Sequence, residues 1–292
     1  MRKINLAEIL ASNLVLFDAG AKGGTKELNK LAFLTKVFAF EPYGREAELL
    51  RKNKLMQKNF MEYSVHQVAL ADEDGFIKLN IMNNTSMNSM LDPDFENYQL
   101  HFGMMNRFPE WKNNIEVQET ISVDGTAIES FCDQNKISQI NFLKLDTQGT
   151  ELKILNGAKK LFDNHSIGII KCEFAFVPVY KEQCLFADID IFLRQHDMRF
   201  VDCLFYENTI YQKARLRNPS PLRDASRYSS GGDAIYIVDI EKVESGKRKE
   251  IALKSGMILA ELNYKSIAFD FLHTHAQLEK TTAIDLVSFL SA

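Results

Sequence analysis

Three acids in this chain stand at the ends of apolar runs, where a carboxylate can face a ligand instead of the core. Asp18 follows Leu14-Val-Leu-Phe, Glu41 follows Val37-Phe-Ala-Phe, and Asp146 follows Asn141-Phe-Leu-Lys-Leu. Asp18 opens the pattern Asp18-x-Gly20-x-x-x-Gly24, with Gly23 as a third glycine. A glycine-rich turn after a buried strand makes a cradle for a small ligand, because crevices in open α/β sheets lie beyond the carboxyl ends of the strands. In the dinucleotide fingerprint the place of Asp18 belongs to a glycine, so that a helix N-terminus can approach a pyrophosphate. A carboxylate there repels a diphosphate and suits a ligand carrying an ammonium and a sulfonium. A purely structural turn is the competing reading. Glu41 stands where ribose-binding acids sit in nucleoside-binding α/β folds. The alternative for it is a solvated strand-end acid.

The third stretch, Leu143-Lys144-Leu145-Asp146-Thr147-Gln148-Gly149, alternates charge with apolar side chains. An unpaired lysine inside a parallel strand is costly to bury. Lys144 is therefore expected to pair with an acid, Glu173 on the next strand being the candidate, either in catalysis or in a structural ion pair. His66 and His101 are isolated and more in keeping with structural or exposed roles. No His, Cys, Asp or Glu grouping has metal-ligand spacing, so no metal is expected. Between 213 and 227 the basic residues Lys213, Arg215, Arg217, Arg223 and Arg227 face a single acid, Asp224. Such a loop is either solvated or a site for an anionic acceptor, since guanidinium groups grip phosphate in a bidentate way.

The bulk properties are those of an ordinary globular protein, with 292 residues, 46% apolar, 25% charged and a formal net charge of -4. Nothing in that balance marks a nucleic-acid binder. The four cysteines, Cys132, Cys172, Cys184 and Cys203, are scattered and read as buried free thiols. No apolar run is long enough for a membrane span, and the charged N-terminus does not resemble a signal peptide. A cytoplasmic location is expected.

The elements that must position these residues alternate. Strands are predicted at 14–17, 37–40, 64–70, 76–81, 116–123, 141–145, 167–174, 199–204 and 234–238. The runs at 64–70 and 76–81, separated by Asp72-Glu73-Asp74-Gly75, suggest a hairpin. Helices are predicted at 3–12, from Thr25 to about 34, at 45–53, from an N-cap at Asp124 through 135, and at 150–163, 182–196, 250–264 and 266–290. Residues 83–114 and 206–232 break the pattern and read as substrate-side insertions. The fold class is α/β, a mostly parallel sheet covered on both faces. Residues 1–244 form the main domain and 245–292 a helical extension that either packs on the core or pairs two copies into a homodimer.

Taken together, Phe17-Asp18-Ala19-Gly20-Ala21-x-x-Gly24, Ala39-Phe40-Glu41-Pro42, Ala69-Leu70-Ala71-Asp72-x-x-Gly75 and Leu143-Lys144-Leu145-Asp146-x-x-Gly149-x-Glu151-x-x-x-Leu155-x-Gly157-Ala158 resemble the successive motifs of the FkbM family of S-adenosylmethionine-dependent methyltransferases. The resemblance covers about residues 13–175, with strand and helix patterns extending it to about 240. It implies a Rossmann-like class I methyltransferase sheet of seven strands with an antiparallel last strand. It also implies transfer of a methyl group to a hydroxyl of a sugar, glycan or small natural product. By position, Asp18, Gly20, Ala21, Lys22 and Gly24 would surround the methionine part of S-adenosylmethionine. Glu41 and Pro42 would meet the ribose, and Val68 and Ala69 the adenine. Asp146 would sit between the cofactor's amino group and the acceptor, serving as base, with Glu173 and Lys144 beside it. Position 22 departs from the family pattern, having Lys where Asn is usual, and position 148 has Gln where Glu is common. The competing functions are an NAD-type oxidoreductase and a non-catalytic protein that keeps the fold for assembly.

Overall fold

The computed structural model describes residues 12–102, 108–205 and 230–292. The helix expected at 3–12 and the basic stretch 213–227 lie outside, or almost wholly outside, the described residues. In chain order the first elements are β1 (Leu14–Ala19), β2 (Thr35–Phe40), α1 (Gly44–Arg51), α2 (Lys54–Asn59), β3 (Glu62–His66), β4 (Ala69–Ala71) and β5 (Gly75–Met82). Then come α3 (Phe95–Phe102), α4 (Phe108–Asn114), β6 (Val117–Ala127), α5 (Ile128–Asn135), β7 (Ile140–Leu145), α6 (Glu151–Asn156), α7 (Lys159–Asp163) and β8 (Ile167–Ala175). The last group is α8 (Phe186–Gln195), β9 (Met198–Phe205), β10 (Gly231–Val238), α9 (Ser245–Glu261), α10 (Lys265–Asp270) and α11 (Lys280–Ser291).

The main sheet has seven strands in the order β3-β2-β1-β7-β8-β10-β9. The first five are parallel, and β10 runs antiparallel between β8 and β9. The central strands read as near-continuous apolar runs because helices cover both faces. Leu14, Leu16 and Phe17 of β1 and Ile140, Phe142 and Leu143 of β7 are completely buried. The chain order reverses between β1 and β7, so the crevice beyond their carboxyl ends is the place where this architecture takes a ligand.

Several local expectations fail, each for a traceable reason. Between the glycine turn and β2 the described residues form no α-helix, only a short 3-10 turn at Ala32–Leu34. Gly23, Gly24 and Leu28 all adopt positive φ (80°, 87° and 57°), which a helix cannot include. Leu28, Leu31, Ala32 and Leu34 are nonetheless buried, so their helix-like spacing reflects a folded-in segment. Its backbone is satisfied from elsewhere: the Glu261 carboxylate at the end of α9 accepts Lys30 N–H at 2.8 Å and Leu31 N–H at 3.1 Å.

The expected strand 64–70 divides. β3 pairs with β2 only as far as His66, whose carbonyl takes the Glu41 N–H, and Pro42 offers no further donor. The chain then crosses to a second sheet of order β4-β6-β5. There β6 lies between β4 and β5, so the expected hairpin does not exist. The Asp74 carboxylate ties the turn to β6 by accepting Ala127 N–H at 2.9 Å. Asp124 pairs inside β6 and caps nothing; α5 begins at Ile128. The predicted helix 150–163 breaks at Gly157, where a Cβ would stand 2.3 Å from the Ala71 carbonyl. Residues 83–114 contain the short helices α3 and α4, and 266–290 is divided into α10, a π-helical turn at Phe271–His275, and α11.

The C-terminal helices share the core of the sheet. Met257, Ile258 and Leu259 of α9 and Leu286 and Leu290 of α11 belong to the same buried cluster as β1 and β7. Among the described residues no helix is long and apolar enough to cross a membrane.

The tightest constraint at the crevice is Gly20. Its φ is +73°, and a Cβ there would lie 2.0 Å from the Asp146 carbonyl oxygen. Gly23 also has positive φ, but a Cβ would meet nothing within 4 Å. Gly23→Ala is therefore expected to lose about 1–3 kcal/mol from conformation alone. Gly20→Ala should lose clearly more, at least about 3 kcal/mol. Urea denaturation of the two variants checks this, and equal losses would show that the close approach does not matter.

Candidate active site

The carboxyl ends of β1, β2 and β7 are laced together by backbone. Gly20 N–H and Ala21 N–H both donate to the Phe40 carbonyl, at 3.1 and 3.2 Å, and Asp146 N–H donates to the Ala19 carbonyl at 3.1 Å. Beyond these ends lies a cleft. Ala19, Gly20 and Lys22 line it from β1, Phe40, Glu41 and Pro42 from β2, and Asp146, Thr147 and Gln148 from β7. Val68, Ala69 and Leu70 form another wall, and Thr85, Ser86, Asn88, Ser89 and Met90 cover it. The covering segment belongs to the patternless region 83–114. The sequence marked that region as a substrate-side insertion without singling out these residues.

Asp18 is not in that lining. It is fully buried and sits directly opposite Lys144 in the β1–β7 register. Lys144 Nζ donates to Asp18 Oδ1 at 2.9 Å, and Thr25 Oγ1 donates to Oδ2 at 2.6 Å. The expected Lys144–Glu173 pair is thus replaced by Lys144–Asp18. The reason is register, since the residue beside Lys144 on β8 is Lys171 rather than Glu173. Burial pulls the Lys144 ammonium down, but Asp18, Asp146 and Glu27 outweigh it and hold its proton well above the usual lysine range. Lys171 is neutralised in the same manner by Glu27 at 2.9 Å and Asp233 at 3.3 Å. Ala21 and Gly24 also stay behind the cleft wall, with Gly24 N–H closing a turn on the Ala21 carbonyl at 2.9 Å.

Glu41 does face the cleft, although it is only 6% exposed. Tyr43 N–H donates to its Oε1 at 2.9 Å. Burial pushes this carboxyl up to about 7, against the opposing pull of the Tyr43 hydrogen bond. The cation at position 22 is turned to its own partners. Lys22 Nζ lies 3.6 Å from Glu46 Oε1 and donates to the Thr85 hydroxyl, which in turn donates to Glu46 at 3.3 Å.

The Asp146 side chain is 39% exposed, with Lys144 Nζ 3.8 Å from its Oδ2. Gln148 Nε2 donates to Asp146 Oδ1 at 3.3 Å and to Glu173 Oε2 at 2.9 Å. The loop is held from below by buried Glu151, whose Oε1 accepts Thr147 N–H at 2.9 Å and Gly149 N–H at 3.3 Å. Burial raises the Glu151 carboxyl, and these backbone donors oppose the rise. Thr25 and Tyr43 gave no functional signal in the sequence, whereas Glu151 belongs to the fourth motif and supports its loop through Thr147 and Gly149. His66 does not line the cleft; it packs among Phe38, Phe40 and Phe131, and burial lowers its pKa. His101 lies in α3. Among the described residues no group of three or more His, Cys, Asp or Glu side chains is placed to hold a metal ion.

This strand order, with a crevice rimmed by acids at the β1–β7 switch, defines a class I methyltransferase. Residues 18–200 match the methyltransferase FkbM domain, and the chain belongs to that family. It is accordingly a methyltransferase that uses S-adenosylmethionine. No curated protein matches the chain. Among solved structures it is similar to magnesium protoporphyrin IX methyltransferase from Synechocystis PCC 6803 with bound S-adenosylmethionine. That match has 10% identity and a TM-score of 0.37, over 80% of this chain and 73% of that one. A TehB-like methyltransferase from Corynebacterium glutamicum matches at 8% identity and a TM-score of 0.33, over 80% and 84% of the two chains.

Two stability predictions follow from the electrostatics. A carboxyl raised from 4.5 to about 7 stabilises the fold only while protonated. That contribution is complete below the unfolded value and is lost as pH rises through about 7, a loss on the order of 3 kcal/mol. Glu41→Gln should match wild type in urea denaturation near pH 4.5 and exceed it by that order at pH 8; a pH-independent difference would contradict the burial effect. Lys144→Met leaves Asp18 buried without its ammonium and should cost about 3–5 kcal/mol. The double variant with Asp18→Asn should recover at least half of that in the same assay, and no recovery would mean the two residues do not act as a pair.

Proposed function

We propose that the protein transfers the methyl group of S-adenosylmethionine to a hydroxyl oxygen of a sugar, glycan or small natural product. The observation that carries this reading is Asp146, a partly exposed carboxylate on the rim of the cleft with an ammonium behind it. The cleft suits the cofactor. Glu41 offers a carboxylate for the ribose hydroxyls, each bond worth on the order of 1.5–3 kcal/mol. Val68, Ala69 and Pro42 offer an apolar wall for the adenine side. Gly20 and Lys22 border the methionine side, with the Lys22 charge already matched by Glu46. Asp18, Ala21 and Gly24 support this cradle from behind instead of touching its contents.

S-adenosylmethionine brings a methyl group already activated by a positively charged sulfur. The chain's own work is to align the acceptor oxygen and to take its proton. Asp146 Oδ1 and Oδ2 are the accepting atoms, and Lys144, held by Asp18, keeps the carboxylate in place. Glu173 is not among the residues lining the cleft but shares the Gln148 amide with Asp146 and is the second candidate base; a positioned base contributes about 10²–10⁴-fold. An anionic acceptor is supported only by the basic residues between 213 and 227, which lie outside the described residues.

Transfer of label from S-adenosylmethionine into pools of glycans and small hydroxyl compounds, with mass spectrometry of the product, tests the reading. Asp146→Asn should lower turnover by about 10²-fold or more while Glu41→Gln chiefly raises the KM for the cofactor. A product methylated on nitrogen or carbon would overturn the oxygen acceptor. Calorimetric binding of NAD in place of S-adenosylhomocysteine would overturn the whole reading.

A further inference from the structure

We propose that Gln148 is a positioning residue, its side-chain amide clamping Asp146 on the cleft and Glu173 beside it into one oriented pair of hydrogen-bond acceptors. This rests on the methyl-transfer reading above. The amide nitrogen carries two protons and meets one oxygen of each acid, Glu173 Oε2 at 2.9 Å and Asp146 Oδ1 at 3.3 Å. The amide cannot turn over without setting its oxygen against two carboxylates. Its backbone is fixed as well. Gln148 has φ +58°, and its carbonyl accepts the Ser89 hydroxyl at 2.8 Å, tying the clamp to the segment that covers the cleft. Tyr180 Oη stands 3.4 Å from the amide oxygen and donates more closely to the Met87 carbonyl, at 2.9 Å.

The charges around the pair explain why an amide serves here. Lys144 faces Asp146 and is itself engaged by Asp18. Asp233 stands opposite Glu173 in the β8–β10 register and is held by Lys171 at 3.3 Å. Burial raises the Asp233 carboxyl, and repulsion from Asp146 adds to that rise against the pull of Lys171. Glutamate at 148 would add another carboxyl within hydrogen-bond reach of both acids, and these could not all ionise together at neutral pH. The amide instead gives two donors and no charge.

The test follows the side-chain carboxyl ¹³C signals of Asp146 and Glu173 against pH in wild type, Gln148→Glu and Gln148→Met. Asp146→Asn and Glu173→Gln assign the signals. In Gln148→Glu at least one midpoint should rise by about one pH unit, and in Gln148→Met by a smaller amount, because the donor is lost without added charge. Gln148→Met preserves side-chain volume and reads the effect even if Gln148→Glu does not fold. Midpoints unchanged from wild type in the folded variants would overturn the clamp. S-adenosylhomocysteine calorimetry on wild type separates the two claims. Absence of binding overturns the methyl-transfer reading, while binding with unshifted midpoints overturns only the role of Gln148.

Discussion

The pairing of Asp18 with Lys144 is the interaction on which the rest of the site depends. It lies between two central parallel strands, where the chain order reverses, with Asp18 fully buried and the Lys144 side chain 14% exposed. Buried ion pairs contribute little net stability over an apolar core, because desolvation offsets their attraction. Their more useful effect here is to fix register. A one-residue slip between β1 and β7 would turn Asp18 away from Lys144 and reverse every side chain facing the helices. Fixing that register also fixes Asp146, two residues beyond Lys144, and Gly20, two residues beyond Asp18. The rim of the cleft therefore inherits its geometry from a pair of which only the Lys144 ammonium reaches it, 3.8 Å from Asp146 Oδ2.

The same economy links the cradle to the distant C-terminus. After Gly24 the chain makes no helix that could satisfy its own backbone, and Glu261 supplies acceptors to Lys30 and Leu31 instead. Lys30 Nζ reaches the Leu290 carbonyl at 3.0 Å. The helices after residue 245 thus hold the back of the ligand turn.

How much of this the sequence made legible follows a physical division. The acids at strand ends were readable because buried parallel strands are apolar along their length and a charge marks where they emerge. The crevice acids Glu41 and Asp146 were found in that way, and the antiparallel last strand agreed with the motif resemblance. What failed required knowledge of neighbours. Leu28, Leu31 and Leu34 have helical spacing, yet positive φ at Leu28 and donors committed to Glu261 decide the local structure. The partner of Lys144 depends on strand register, which composition does not encode. Gln148 looked like a missing acid, and only the positions of Asp146 and Glu173 around it show why an amide fits.

Charge accounting then explains why a lysine in the glycine turn is compatible with a positively charged ligand. Lys144 is matched by Asp18, Lys171 by Glu27 and Asp233, and Lys22 by Glu46. Against this internally compensated background, Glu41 and Asp146 are the carboxyls that line the cleft. They stand at separate strand ends, Glu41 after β2 and Asp146 after β7. Burial makes Glu41 reluctant to ionise, which weakens the fold near neutral pH. Glu41 is thus a locally destabilised carboxylate at the end of β2, beside a β1–β7 register that the Asp18–Lys144 pair fixes.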